Sequence, residues 1–178
     1  MTADPSDYKR RVLYAWSHTE IGRVLVASTW KGVCFTALSG NGAMEHLEKW
    51  VARHEPGSML VEDRRAMRPV LEQIAAYARG DRKRFDVHLD LRGTAFQRSV
   101  WEADRRIPYG QTRTYAEVAS AIGRPRAVRA VGGANGKNPV PLFVPCHRIV
   151  ARDGIGGFTG GLHHKRRLLS LEGATLPG

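Results

Sequence analysis

The hydrophobic pattern changes its period about half-way along the chain. Residues 11–17 and 23–28 are short runs rich in apolar side chains, and Thr19-Glu-Ile-Gly22 between them predicts a turn. Residues 32–38 form a third strand-like run. Met44, Leu47, Val51 and His54 then recur at helical spacing, which predicts a helix over 42–54. A second helical stretch covers 64–79, with Pro69 marking a kink or a late start. Phe85, Val87, Leu89 and Leu91 alternate strictly and predict a strand.

From Gly93 onward helices dominate. Thr94 stands where it can cap a helix carrying Phe96, Val100 and Trp101, ending before Pro108. Thr114-Tyr-Ala-Glu117 has the spacing of a capping box and opens a helix that stops at Gly123. Pro125 suits the first turn of a further helix running to about Ala134. Two short helices across a tight glycine-containing turn predict a helix-turn-helix. A Gly- and Pro-rich loop follows over 135–145, and a last helix over 161–171. There is no internal repeat and no low-complexity segment. The class is α/β, with an N-terminal α/β domain over 1–92 and a mostly helical C-terminal domain over 93–178.

Composition adds only bounds: 178 residues, 42% hydrophobic and 25% charged, describe an ordinary globular chain of one or two domains. No apolar run approaches the roughly 18–20 residues of a membrane span. The opening Met1-Thr-Ala-Asp-Pro is polar and lacks the apolar core of a secretory leader, so a cytoplasmic, non-membrane protein is expected.

Charge changes the picture more. Twenty-eight Lys and Arg against 17 Asp and Glu give +11. Such an excess favours a polyanionic partner, above all nucleic acid; its alternative reading is a device for solubility. The two cysteines, Cys34 and Cys146, are expected to be reduced. Cys34 falls in the third strand and reads as a small buried hydrophobe. There is no CxxC or HExxH, and the seven histidines lack zinc-ligand spacing, so no metal is expected. No GxGxxG is present, and Gly136-Lys137-Asn138 is not a phosphate loop.

Candidate chemistry centres on Val144-Pro-Cys-His-Arg-Ile-Val150. A cysteine is a strong nucleophile only as thiolate, and His147 beside Cys146 suggests a base. Proline-stiffened flanks, Asn138-Pro-Val-Pro141, can hold such a side chain still. The loop Gly154-Ile-Gly-Gly-Phe-Thr-Gly-Gly161 lets backbone approach a ligand closely. Glu172 continues the apolar stripe of the last helix near its C-terminus, where the helix dipole disfavours a negative charge. It is either a functional carboxylate or a frayed, solvated end. The second helix of the pair is rich in small residues (Ala127, Ala130, Gly132, Gly133, Ala134), with Arg126 and Arg129 its only long side chains. Small residues suit close approach to a shallow groove; they equally suit tight packing in a core.

These motifs, in this order, resemble the O6-alkylguanine-DNA alkyltransferases, also called methylated-DNA–protein-cysteine methyltransferases. The resemblance covers residues 93–172, through Gly-Thr-Ala-Phe-Gln97, Val100-Trp101, Ile107-Pro108, Thr114-Tyr115, Arg126-Ala-Val-Arg-Ala-Val-Gly-Gly133, Asn138-Pro-Val-Pro141, the Cys146 motif and Thr159-Gly-Gly161. It implies a ribonuclease-H-like small sheet with helices in the first half, and a winged-helix or helix-turn-helix-like second half. It implies stoichiometric, irreversible transfer of the alkyl group to Cys146 after nucleotide flipping. His147 would act as base through a water, and Glu172 would orient and charge-stabilise it, helping to hold Cys146 as thiolate. Asn138 would brace the active-site turn. Arg129 would fill the gap left by the flipped nucleotide, and Tyr115 would press on the 3′ phosphate and donate to the guanine. Arg126, Gln97 and Gly132 would join the DNA contacts. Pro141, Val144, Ile149, Phe158, Thr159 and Gly160 would shape the base pocket. The implied partner is double-stranded DNA carrying O6-alkylguanine, bound through its minor groove by a monomer. No cofactor is implied, because the damaged DNA is itself the alkyl donor.

Phe158 stands where some relatives carry tyrosine, and Thr159 where serine is more usual; both bear on substrate range. A Cys-His hydrolase would use the same side chains on an acyl carbon but leaves the helix pair and the charge without a role. A non-enzymatic DNA-binding regulator accounts for those two features and leaves Cys146, His147 and Glu172 idle. Lesion sensors related to this family lack the cysteine, and Cys146 argues against them.

Overall fold

The computed structural model describes residues 9–38 and 42–175; the polar opening segment, residues 1–5, lies outside them. The chain divides into two compact units, Met1–Arg92 and Gly93–Gly178. The architecture is mixed α/β.

In the first unit β1 (Arg11–Thr19), β2 (Gly22–Thr29) and β3 (Gly32–Leu38) form an antiparallel meander, as the three apolar runs predict. Helix α1 (Ala43–His54) turns Leu47, Trp50 and Val51 inward against Val12, Leu25, Ala27 and Phe35. Cys34 is fully buried in this core, and burial pushes its thiol far up. The sheet gains a fourth strand, β4 (Met59–Glu62), parallel to β1 at the edge, in the order β3-β2-β1-β4. Sequence periodicity misses it: two exposed residues flanking two half-buried ones carry no clear alternation. Helix α2 (Arg68–Ala78) starts late, with Pro69 in its first turn, where the missing N–H costs nothing.

The predicted strand over 85–91 does not form. Leu89 makes a single parallel bridge to Val33. Further back, Gln73 of α2 takes both backbone groups of Asp86, accepting from its N–H at 2.8 Å and donating to its carbonyl at 3.0 Å. A side chain thus supplies the hydrogen bonds that a neighbouring strand would have offered.

The second unit opens with α3 (Ala95–Arg105). Thr94 caps it reciprocally: Gln97 N–H donates to Thr94 Oγ1, and Thr94 N–H to Gln97 Oε1. Helix α4 (Tyr115–Ala121) repeats the device with Thr114 and Glu117. Helix α5 (Val128–Gly136) packs against both α3 and α4. It begins three residues after Pro125, not at it. Arg124 N–H closes the end of α4 on the Ala119 carbonyl, and Ala127 N–H bonds back to Arg124, so Pro125 sits in the intervening turn. The helix also runs past Ala134 to Gly136, into the predicted loop. A 3-10 turn at Cys146–Arg148 leads into β6 (Ile149–Val150), which pairs in parallel with β5 (Arg113–Thr114). Helix α6 (Leu162–Leu171) ends on Glu172. No helix among the described residues is long and apolar enough to cross a membrane.

Candidate active site

Residues 138–148 set the geometry. Asn138 grips a tight turn from both ends: its Oδ1 accepts from Val140 N–H at 3.0 Å, and its Nδ2 donates to the Val144 carbonyl at 2.9 Å. Between them Leu142 is held at φ 81°, a left-handed conformation costly for a branched side chain. Such strain persists only where its surroundings fix it, and the Asn138 bonds, with Val144 N–H on the Val140 carbonyl, do so. The same Nδ2 donates to Cys146 Sγ at 3.1 Å. Asn138 therefore fixes the turn and the sulfur together.

Cys146 is 8% exposed and lies on a cavity of about 320 Å³ with Tyr115, Gly132, Asn135, Gly136, Gly157, Phe158 and Thr159. Tyr115 comes from the first position of α4; Gly132, Asn135 and Gly136 come from α5; the rest come from the glycine-rich loop before α6. The loop passes Tyr115 closely at Gly156, where a Cβ would stand 3.1–3.2 Å from the ring and its hydroxyl. Thr159 Oγ1 donates to the Gly136 carbonyl at 3.2 Å, tying this loop to the end of α5. A larger groove of about 480 Å³, lined by Ser99, Arg106, Ile107 and Ile122, lies away from Cys146.

His147 is fully buried, and its Nε2 lies 2.9 Å from Glu172 Oε1. Glu172 also accepts from Arg148 Nε and Nη2, each at 2.9 Å, and from Gly110 N–H at 3.0 Å. Arg148 donates further to the Ile107 carbonyl at 2.6 Å. Burial alone would raise the Glu172 carboxyl, but the hydrogen bonds from His147 and Arg148 outweigh it and hold it far below the usual carboxylate range. Because this carboxylate only accepts, His147 Nε2 carries the proton and Nδ1 is the basic nitrogen. Glu172 is thus a buried, multiply bonded group and not a frayed end.

The Glu172 bond raises the basicity of His147, and burial works against it. Burial depresses His147 below the ordinary imidazole range despite the Glu172 bond. Burial pushes the Cys146 thiol up to about 12, against the opposing Asn138 bond. Both shifts favour the uncharged pair, thiol and neutral imidazole.

Other sequence-derived candidates fall in different places. Arg126 and Arg129 are exposed around the start of α5, and the outer face of that helix carries Ala130 and Gly133. Gln97 is engaged in the α3 cap. Val144 and Ile149 are fully buried, and with Pro141 and Gly160 they stand outside the cavity lining. Sequence reasoning missed Arg148, Asn135 and Lys165. Lys165, fully buried on α6, donates to the carbonyls of Ile149 and Gly157 and so pins the strand after Cys146 to the cavity wall. In the sequence each is an ordinary polar residue; only their burial distinguishes them.

The chain resembles known proteins along most of its length. The profile of the family described as "6-O-methylguanine DNA methyltransferase, DNA binding domain" matches residues 95–174. The chain is 46% identical over 148 residues to the inducible methylated-DNA–protein-cysteine methyltransferase of Bacillus subtilis, covering 83% of this chain and 82% of that protein. It is 41% identical over 163 residues to the methylated-DNA–protein-cysteine methyltransferase of Methanosarcina acetivorans, covering 90% and 98%. The crystal structure of Mycobacterium tuberculosis OGT in complex with DNA superposes with a TM-score of 0.77 at 37% identity, covering 92% of each chain. Similarity of this extent, running through both units, makes the chain a member of the methylated-DNA–protein-cysteine methyltransferase family.

Proposed function

We infer that this protein repairs O6-alkylguanine in DNA by moving the alkyl group onto Cys146. The methyltransferase activity on DNA follows from family membership. The observation that carries the acceptor assignment is the placement of Cys146 on a cavity, with its sulfur held by Asn138.

The mechanism starts from the uncharged pair. His147 takes the thiol proton through a water as the sulfur attacks the alkyl carbon, and Glu172 stabilises the imidazolium that results. The S–C bond forms as the C–O6 bond breaks, and the electron pair of the broken bond goes to the guanine. Burial raises the Tyr115 phenol, although the Gly157 N–H opposes this. The phenol is thus a proton-bearing donor at neutral pH, and a proton from it lets guanine leave neutral. The product is a thioether, so each molecule acts once.

The nucleotide must leave the duplex to reach a cavity of this kind, at a cost of a few kcal/mol. Arg129, exposed on the first turn of α5, is positioned to fill the vacated stack, with Arg126 near the phosphates. The small outer face of α5 supports approach through the minor groove. Phe158 and Thr159, on the cavity lining, border the base. The working unit in this reading is a monomer. We read the first unit as ribonuclease-H-like, from its meander with a parallel fourth strand, and the second as winged-helix-like, from α4, α5 and the β5–β6 ladder. The boundary between the two domains falls at Arg92.

Intact mass after incubation with a duplex carrying O6-methylguanine tests this. The expected result is a gain of one methylene, mapping to Cys146, with methyl transferred levelling off at about one per protein. A sustained linear rate with unmodified protein overturns the self-alkylating mechanism.

A further inference from the structure

Two buried polar side chains near Cys146 have no part in the chemistry above. Asp104, on α3, is fully buried, and neither carboxylate oxygen has a hydrogen-bond partner among the described residues. Asn135, on α5, borders the Cys146 cavity, and its amide oxygen and nitrogen are buried and equally without partners there. The helix that carries Asp104 packs against both α5 and the 3-10 turn that carries Cys146. Trp101 Nε1 donates to the Ala134 carbonyl at 3.0 Å, next to Asn135, and Asp104 lies three residues beyond Trp101, on the same face of α3.

A lone carboxylate in such a place is disfavoured far more than a lone carboxylic acid, because the charged form loses its hydration with nothing in return. We propose that Asp104 is a positioning residue for alkyl transfer: a neutral carboxylic acid, on the helix packed against the Cys146 turn, whose ionisation suppresses formation of the Cys146 thiolate. The proposal rests on Cys146 being the alkyl acceptor.

Like charges decide the direction. An ionised Asp104 raises both the Cys146 thiol and the Tyr115 phenol. Burial pushes Asp104 up to about 8, so it is neutral below that pH and charged above it. The groups around this interface come from several elements. Cys146 is on the 3-10 turn, Tyr115 heads α4, and uncharged Asn135 comes from α5. Lys165 of α6 favours the thiolate, and burial lowers it to about 8. Above pH 8 the site therefore gains a negative charge at Asp104 and loses a positive one at Lys165, and both changes oppose the thiolate. Replacing Asp104 removes only the first.

The test is Asp104→Asn, which keeps shape and polarity but cannot ionise. The reaction of Cys146 with iodoacetamide is followed on the full chain without DNA, with the modified peptide mapped by mass. The mutant-to-wild-type rate ratio should be near one at about pH 6.5 and rise on the order of three- to tenfold by about pH 9.5, since one pKa unit is a tenfold change in thiolate. Its midpoint should fall near the Asp104 value of about 8. A ratio independent of pH overturns the proposal. Single-turnover transfer from methylated DNA, mapped in the same way, shows separately whether Cys146 is the acceptor. If Asp104→Asn fails to fold, infrared spectra of wild type labelled with carbon-13 aspartate decide the matter. A protonated-carboxyl band present at pH 7 and lost across pH 8 supports the proposal, and its absence at pH 7 overturns it.

Discussion

Glu172 shows how much one side chain can be asked to hold. It accepts from His147, from two nitrogens of Arg148 and from the Gly110 backbone. Glu172→Gln therefore does more than weaken a base. It leaves the buried Arg148 guanidinium, 7% exposed, without its counter-charge. Breaking such a pair from one side costs about 3–5 kcal/mol, to be read from denaturant unfolding at pH 7. The carboxyl is held far below its ordinary range in the folded state, so its contribution is complete above the unfolded value of about 4 and fades as pH falls further. The gap between mutant and wild type should accordingly narrow in acid. Cys146, His147 and Glu172 were legible in the sequence, the first two as a motif and the third as a carboxylate on an apolar stripe. Arg148 and Lys165 were not, because a basic residue in a basic chain reads as solvated until the fold buries it.

At the level of elements, legibility follows the range of the interactions. The caps at Thr94 and Thr114 bond residues three apart, so the sequence displays them in full. Strand β4 depends on β1, more than forty residues earlier, and nothing local marks it. The 85–91 segment has the right alternation but loses its ladder to Gln73, which no periodicity can foretell. The turn before Cys146 lies between these cases. Its prolines mark it, while the strain at Leu142 is visible only in the backbone. Asn138→Ala removes the acceptor for Val140 N–H and the donor for both the Val144 carbonyl and Cys146 Sγ. Losing these partly buried bonds should lower stability by about 1–3 kcal/mol. It should also slow the iodoacetamide reaction of Cys146, because the bond that favours the thiolate is gone. Unchanged thermal unfolding would show that the turn holds its shape without Asn138.

Across the whole molecule the excess of +11 governs the encounter with DNA. Removing one basic side chain from a phosphate should lower the salt dependence of binding by about one unit of slope in log affinity against log salt. Arg126→Ala is expected to do this and to weaken all duplexes alike. Arg129→Ala should behave differently, slowing transfer from a well-paired duplex more than from a single strand, which has no extrusion cost to offset. Single-turnover rates on the two substrates separate these roles, and equal slowing on both would make Arg129 another phosphate ligand.

Lys165 carries a consequence for how the cavity breathes. Its ammonium joins the carbonyls of Ile149 and Gly157 from within the helix that ends on Glu172. Loosening the glycine-rich wall strips a buried amine of one of its acceptors, so the wall cannot fray at little cost as surface loops do. Wall, helix and the strand after Cys146 are expected to open to solvent as one cooperative unit, which hydrogen exchange would show as amide protons exchanging together. The loop beside Cys146 is a door-frame rather than a door: in the proposed reaction a flipped base would enter a space that already exists.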